Sequence, residues 1–167
     1  MSYPATPADV FQRLDDLGIP HTTISHPPLF TVEDSKALRG ALTGGHAKNL
    51  FLKNKKGRMW LLVAEESAPI NLKAFAKMIG AGNLSFGKPE LLMEILGVIP
   101  GAVTPFALIN AAPGSITPLF DQGLLAEDPL NFHPLDNTMT TTIAKADLLR
   151  FVEALGHGYD TVDLKGL

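Results

Sequence analysis

The chain has 167 residues, 46% of them hydrophobic and 19% charged, which suits one globular domain and excludes a disordered segment of this length. It contains no Cys, so disulfides, thiolate metal sites and a cysteine nucleophile are excluded, and no apolar run reaches the length of a membrane helix. The net charge of −3 argues against coating long nucleic acid, although a local basic patch would suffice to grip one RNA end.

Met1 to Thr6 has neither a basic flank nor an apolar run, so no cleaved leader is expected and the protein is expected in the cytoplasm. Residues 7–17 place Val10, Phe11, Leu14 and Leu17 at helical spacing, with Thr6 as cap, Pro7 in the first turn and Gly18 as stop. A short strand is expected over 21–25. His26-Pro27-Pro28 then makes a rigid extended turn. A short helix is expected over 31–38, capped by Thr31. Residues 47–53 and 58–64 read as two strands joined by the turn Asn54-Lys55-Lys56-Gly57.

Helices are expected over 71–79, stopped by Gly80, and over 88–96, with Pro89 at the start and Gly97 as stop. A short strand fits 84–86. Residues 97–105 hold two Gly and two Pro yet are largely apolar, which predicts a fixed loop beside a pocket. Strands are expected over 106–109, 115–120, 130–133 and 140–143, and a closing helix over 146–155. The last dozen residues read as peripheral. Together this predicts a single α/β domain over residues 1–167, core about 7–156, with a mixed sheet or barrel and surrounding helices.

No phosphate-binding loop, dinucleotide-binding glycine run, zinc-protease helix or serine nucleophile elbow is present. The five His lack metal-ligand spacing, and the adjacent pairs Asp15-Asp16 and Glu65-Glu66 diverge as neighbours do, so no metal, no cofactor and no carboxylate dyad are expected. Ser67, Thr104 and Ser115 have no base placed beside them by any motif. Lys48 shares a strand face with Leu50 and Leu52, so it either snorkels at a rim or reaches into a pocket to hold a phosphate. Lys53, Lys55, Lys56 and Arg58 add positive charge, which either solvates the turn or meets RNA. Gly101, after Pro100, lets main-chain N–H groups approach a developing oxyanion, or simply turns the chain. His133 reads equally as a core histidine, a pocket wall or a general base.

Four separated segments, His26 to Thr31, Ala47 to Lys53, Gly97 to Phe106 and Phe132 to Asn137, resemble in their order the YbaK/ProX superfamily of aminoacyl-tRNA editing domains, and among these its freestanding alanyl-tRNA(Pro) deacylases. The resemblance implies a mixed α/β barrel-like fold and hydrolysis of alanine misattached to proline tRNA, in trans beside prolyl-tRNA synthetase, with no DNA or membrane partner. A cysteinyl- or broader small-aminoacyl deacylase, or a non-catalytic domain binding tRNA or synthetase, is the alternative. It further implies that Lys48 secures the tRNA 3′ end, that the Gly101 backbone meets the aminoacyl carbonyl, and that His133 marks the alanine-specific members. Asn49, Lys53, His26, Thr31 and Asn137 would border the site, with Ala102, Val103, Thr104 and Phe106 shaping the pocket together with His133.

Overall fold

The computed structural model describes residues 3–28, 42–165 and 167. The short helix expected over 31–38, and Thr31 with it, lie outside the described residues. The rest follows the chain as α1 (Pro7–Asp16), β1 (Thr22–Ser25), β2 (Gly45–Asn54), β3 (Met59–Glu65), α2 (Leu72–Ile79), β4 (Leu84–Phe86), α3 (Pro89–Leu96), 3-10 turns at Pro100–Ala102 and Pro105–Asn110, β5 (Thr117–Asp121), α4 (Gln122–Leu125), β6 (Leu130–Phe132), β7 (Met139–Ile143), α5 (Lys145–Ala154) and β8 (Asp160–Val162).

The helix boundaries have local causes. Thr6 and Asp9 form a reciprocal capping box on α1, which satisfies two amides that the first turn leaves free. The Asn71 side chain accepts from Ala74 N at the start of α2 (3.1 Å), and Gly80 ends that helix in the left-handed region at φ 66°.

One mixed sheet runs in the order β1-β7-β6-β2-β3-β5-β8, with β4 on β2. The β2–β3 hairpin is its longest pairing, from Ala47↔Glu65 to Lys53↔Met59. On its other edge β2 changes partner. Gly45 and His46 pair in parallel with Leu130 and Asn131 of β6, whereas Leu52 to Asn54 pair antiparallel with β4. Residues 47–51 therefore have no strand on that edge.

Each face of the sheet carries a different core. Phe51, Leu61, Val63, Leu130, Phe132 and Ile143 meet α1, α3, α5 and the second 3-10 turn. Leu52, Trp60, Leu62, Ala64 and Leu119 meet α2 through Phe75. Period-two alternation thus sends odd residues of β2 to the first core and even ones to the second.

Two expectations are corrected. Residues 106–109 are not a strand but part of a 3-10 helix, because Pro105 suits its first position and Thr104 Oγ1 accepts from Phe106 N (3.2 Å). The final dozen residues are not peripheral. β8 pairs in parallel with β5, and Val162 and Leu164 are buried in the second core.

Candidate functional site

Lys48 lies mid-strand on β2, half-buried, on the face of Leu50 and Leu52. Its Nζ donates to the carbonyl of Ala68 in the segment after β3. An ammonium has three donors, and among the described residues only the Ala68 carbonyl engages one of them. The pair His46↔Asn131 fixes the parity of the neighbouring strand, and two residues onward on either side stand Lys48 and His133. The pairing itself ends at His46↔Asn131, and the hydrogen bond described for Lys48 goes to Ala68 and not to His133.

His133 is joined by His26 and Thr140. The two imidazole centroids lie 6.0 Å apart, tilted at 55°. His26 N–H donates to Thr138 O (2.8 Å), and the ring binds through Nδ1 to Pro27 O and through Nε2 to Thr140 Oγ1, both at 2.8 Å. Because a carbonyl only accepts, His26 Nδ1 carries a proton, and in the neutral ring Nε2 accepts from the Thr140 hydroxyl. The same logic applies to His133, whose Nδ1 donates to Met139 O (2.8 Å). Its neutral Nε2 is then a lone-pair acceptor, and no group among the described residues occupies it.

Burial is the main cause holding His133 below the ordinary imidazole range, and the His26 ring adds to it. The Met139 carbonyl and Asp136 pull the other way without prevailing. Asp136 is itself held down by hydrogen bonds from Thr138, Oγ1 at 2.6 Å and N at 2.8 Å. That clamp tightens the loop leading from His133 to β7.

This loop also reaches Gly101. A Cβ built on Gly101 would stand 3.2 Å from Nδ2 of the buried Asn137, so the 3-10 turn and the loop touch where only a hydrogen fits comfortably. Gly101 is exposed and has no positive φ, so close approach rather than backbone strain is what a side chain would disturb there. The next amide, Ala102 N, is committed to Ile99 O (2.9 Å).

The structure thus brings His26, His133, Asn137 and Gly101 around one loop, with Lys48 on β2, the strand that β6 adjoins before that loop. Other sequence-derived candidates stand elsewhere. Ala102, Thr104 and Phe106 are buried. Phe106 packs edge-on against Phe132 and Phe151, so these side chains back the glycine turn and do not line its open side. Val103 is half-buried against the same core. Lys53 is five residues from Lys48, about 16 Å along the strand, and lines a groove with Lys88, Glu90, Leu91 and Glu94. Asn49 has the strand parity of the first core, and its buried Oδ1 has no hydrogen-bond partner among the described residues.

Sequence reasoning missed Thr140, which ties His26 to β7, and Asn131, whose Nδ2 donates to Thr43 O (2.9 Å) and Gly45 O (3.1 Å). The signal for Asn131 was a polar residue between two buried apolar ones, Leu130 and Phe132, whereas Thr140 sits in a run of three threonines that singles none of them out. Of the hydroxyls set aside as nucleophiles, Ser67 donates to Glu65, Ser115 donates to Ala112 O (2.6 Å), and Thr104 serves as a cap. Among the described residues no three of His, Asp and Glu group closely enough to hold a metal ion, and no helix is long and apolar enough to cross a membrane.

Fold and site together define an α/β domain that offers a lysine, a neutral imidazole and an open glycine turn. Residues 26–151 match the family model described as the aminoacyl-tRNA editing domain. The chain is 33% identical over 156 residues to the prolyl-tRNA editing protein ProX of Acetoanaerobium sticklandii, covering 93% of this chain and 95% of that protein. It is 38% identical over 157 residues to the prolyl-tRNA synthetase associated domain-containing protein 1 of Danio rerio, covering 90% and 85%. Among solved structures, one described as a trans-editing enzyme candidate for prolyl tRNA synthetase superposes with a TM-score of 0.71 at 19% identity, covering 95% and 96%, and a scaffold used for epitope grafting with 0.75 at 19%, covering 96% and 97%. These two speak for the fold. The chain belongs to the aminoacyl-tRNA editing domain family, in its YbaK/ProX-like branch, and is an aminoacyl-tRNA deacylase.

Proposed function

We propose that the protein acts in trans beside prolyl-tRNA synthetase and removes a small amino acid from the 3′ end of proline tRNA. Alanine heads the candidates, ahead of cysteine and serine. The names carried by its relatives support the tRNA, and the four sequence segments support the side chain. The observation that carries the reading is the acceptor geometry at His133. Its Nδ1 proton is fixed on Met139 O, which leaves Nε2 to accept from the substrate's α-ammonium or from the attacking water.

The reaction is ester hydrolysis. Water oxygen bonds to the aminoacyl carbonyl carbon, the bond from that carbon to the ribose oxygen breaks, and the ribose oxygen leaves with a proton. Lys48 anchors the terminal nucleotide through its phosphate. The Gly101 turn, free of a side chain, lets the carbonyl approach the main chain where negative charge develops. The neighbouring ribose hydroxyl supplies a further polar group already held in place. Selection acts by exclusion, since a rigid wall rejects the larger prolyl ring, whereas discrimination among smaller groups is worth only about 1–3 kcal/mol per methylene.

The test is a matched panel of alanyl-, cysteinyl-, seryl- and prolyl-tRNA(Pro) with purified protein. Alanyl ester is expected to be cleaved fastest and prolyl ester spared. Preferred cleavage of cysteinyl ester would move the protein to the cysteine branch, and no turnover of any ester would refute the proposed activity.

A further inference from the structure

The charge of this chain is unevenly placed. Residues 47–89 hold eight basic residues against two acidic ones, a net of +6, which leaves −9 on the remainder of a chain whose total is −3. In space this segment is the β2–β3 hairpin, α2 and β4, the unit built around the second core. Its cations are not scattered. Lys73 and Lys77 are exposed one turn apart on α2, which packs on the face that carries Lys48. Arg58 has the parity of Trp60, hence that same face, and its guanidinium carbon sits 5.0 Å from the Trp60 ring centroid. Lys55 and Lys56 are exposed at the hairpin turn, and Lys56 N is held by Asn54 Oδ1 (3.1 Å). From Lys48 to the turn is about 20 Å of strand. The two acids, Glu65 and Glu66, lie at the Lys48 end, where Glu65 accepts from Ser67.

We infer that this basic face is the landing surface for the double-stranded stem of the RNA whose 3′ end enters the site, with phosphates running from Lys48 past Lys73 and Lys77 to the hairpin turn. The inference rests on the aminoacyl-tRNA reading above and adds the path of the RNA. A single-stranded end occupies the site, and the duplex behind it meets the exposed cations of α2 and of the hairpin turn. A negative chain needs such a concentration of charge, because phosphate neutralisation supplies most of the affinity. The −9 elsewhere repels the backbone and fixes the orientation.

The test replaces Lys55, Lys56, Lys73 and Lys77 together by Gln, none of which belongs to the site. Binding of uncharged tRNA(Pro) is measured against salt, and hydrolysis is measured on alanyl-tRNA(Pro) and on a short alanyl ester of the terminal trinucleotide. The variant is expected to bind tRNA about tenfold or more weakly, with a salt slope shallower by up to about 3 for four lost contacts. KM should rise on whole tRNA while the rate on the short ester stays unchanged, and Arg at the four positions should restore binding. Unchanged affinity and slope would overturn the inference, as would failure of the Arg variant to recover. A loss seen only in association with the synthetase would overturn it too, because the face would then serve an acidic protein surface. The binding arm needs no turnover, so a wild-type protein that binds tRNA but hydrolyses neither substrate would refute the deacylase reading alone.

Discussion

Replacing Lys48 by Ala separates its two roles. In the structure its Nζ holds the Ala68 carbonyl while the residue is half-buried on β2. Loss of that bond from a half-buried, partly hydrated ammonium is expected to cost about 1 kcal/mol of stability. Loss of a charge-assisted contact to a phosphate, at about 1.5–3 kcal/mol, converts to a roughly 10- to 150-fold fall in kcat/KM at about 1.4 kcal/mol per decade. The assay pairs thermal melting with single-turnover deacylation of alanyl-tRNA(Pro). Lys48→Met should melt near the Ala variant yet keep more of the stem packing, and its activity should be equally poor because it too lacks the ammonium. Lys48→Ala at a rate within twofold of wild type, with a lowered melting temperature, would show that the residue only holds Ala68 and would remove it from the mechanism.

Gly101→Ala places a methyl 3.2 Å from Asn137 Nδ2 and should displace the turn or the loop by tenths of an ångström, lowering kcat about tenfold or more at near-normal stability; full activity would mean that the turn does not face the ester. His133 is held below its ordinary value near 6.5, so its acceptor is present at neutral pH and is lost only as pH falls below that value, giving an acidic limb that His133→Asn should abolish. The folded state also binds fewer protons there than the unfolded chain, so stability should decline over the same acidic range and not on raising pH through 8. Asn49→Leu removes a buried acceptor that has no donor among the described residues and should hold or raise the melting temperature; a marked destabilisation would show that the amide is bonded structurally.

Much of the fold was legible because its signals are local. The capped start of α1, the Gly80 and Gly97 stops, and the β2–β3 turn each depend on a few adjacent residues, and the structure places them within a residue or two. Residues 106–109 were not legible, because an apolar run buried on every side has no period, and the information sat outside it in Thr104 and Pro105. β8 escaped for a different reason. Its residues Asp160 and Thr161 are exposed, and its partner β5 lies some forty residues earlier, so no neighbouring residue announces the pairing. The site divides likewise. Lys48 and Gly101 drew notice through their neighbours, whereas the approach of His26 to His133 joins residues 107 positions apart and depends on strand order.

Strand order also explains why the site opens where it does. A strand whose neighbour runs its full length presents only side chains, since its main-chain groups are used along both edges. β2 is bordered by β3 throughout, but on the other edge β6 stops after His46 and β4 starts only at Leu52. The interval contains Lys48 and Asn49. The chain thus leaves an interruption in its own sheet beside Lys48, and His133 follows directly on the end of β6. Closing it with a longer β6 is expected to complete the ladder and raise the melting temperature, and to slow deacylation if the nucleotide end enters there as proposed. A variant that melts higher and still deacylates at the wild-type rate would show that the proposed activity does not need the break in pairing.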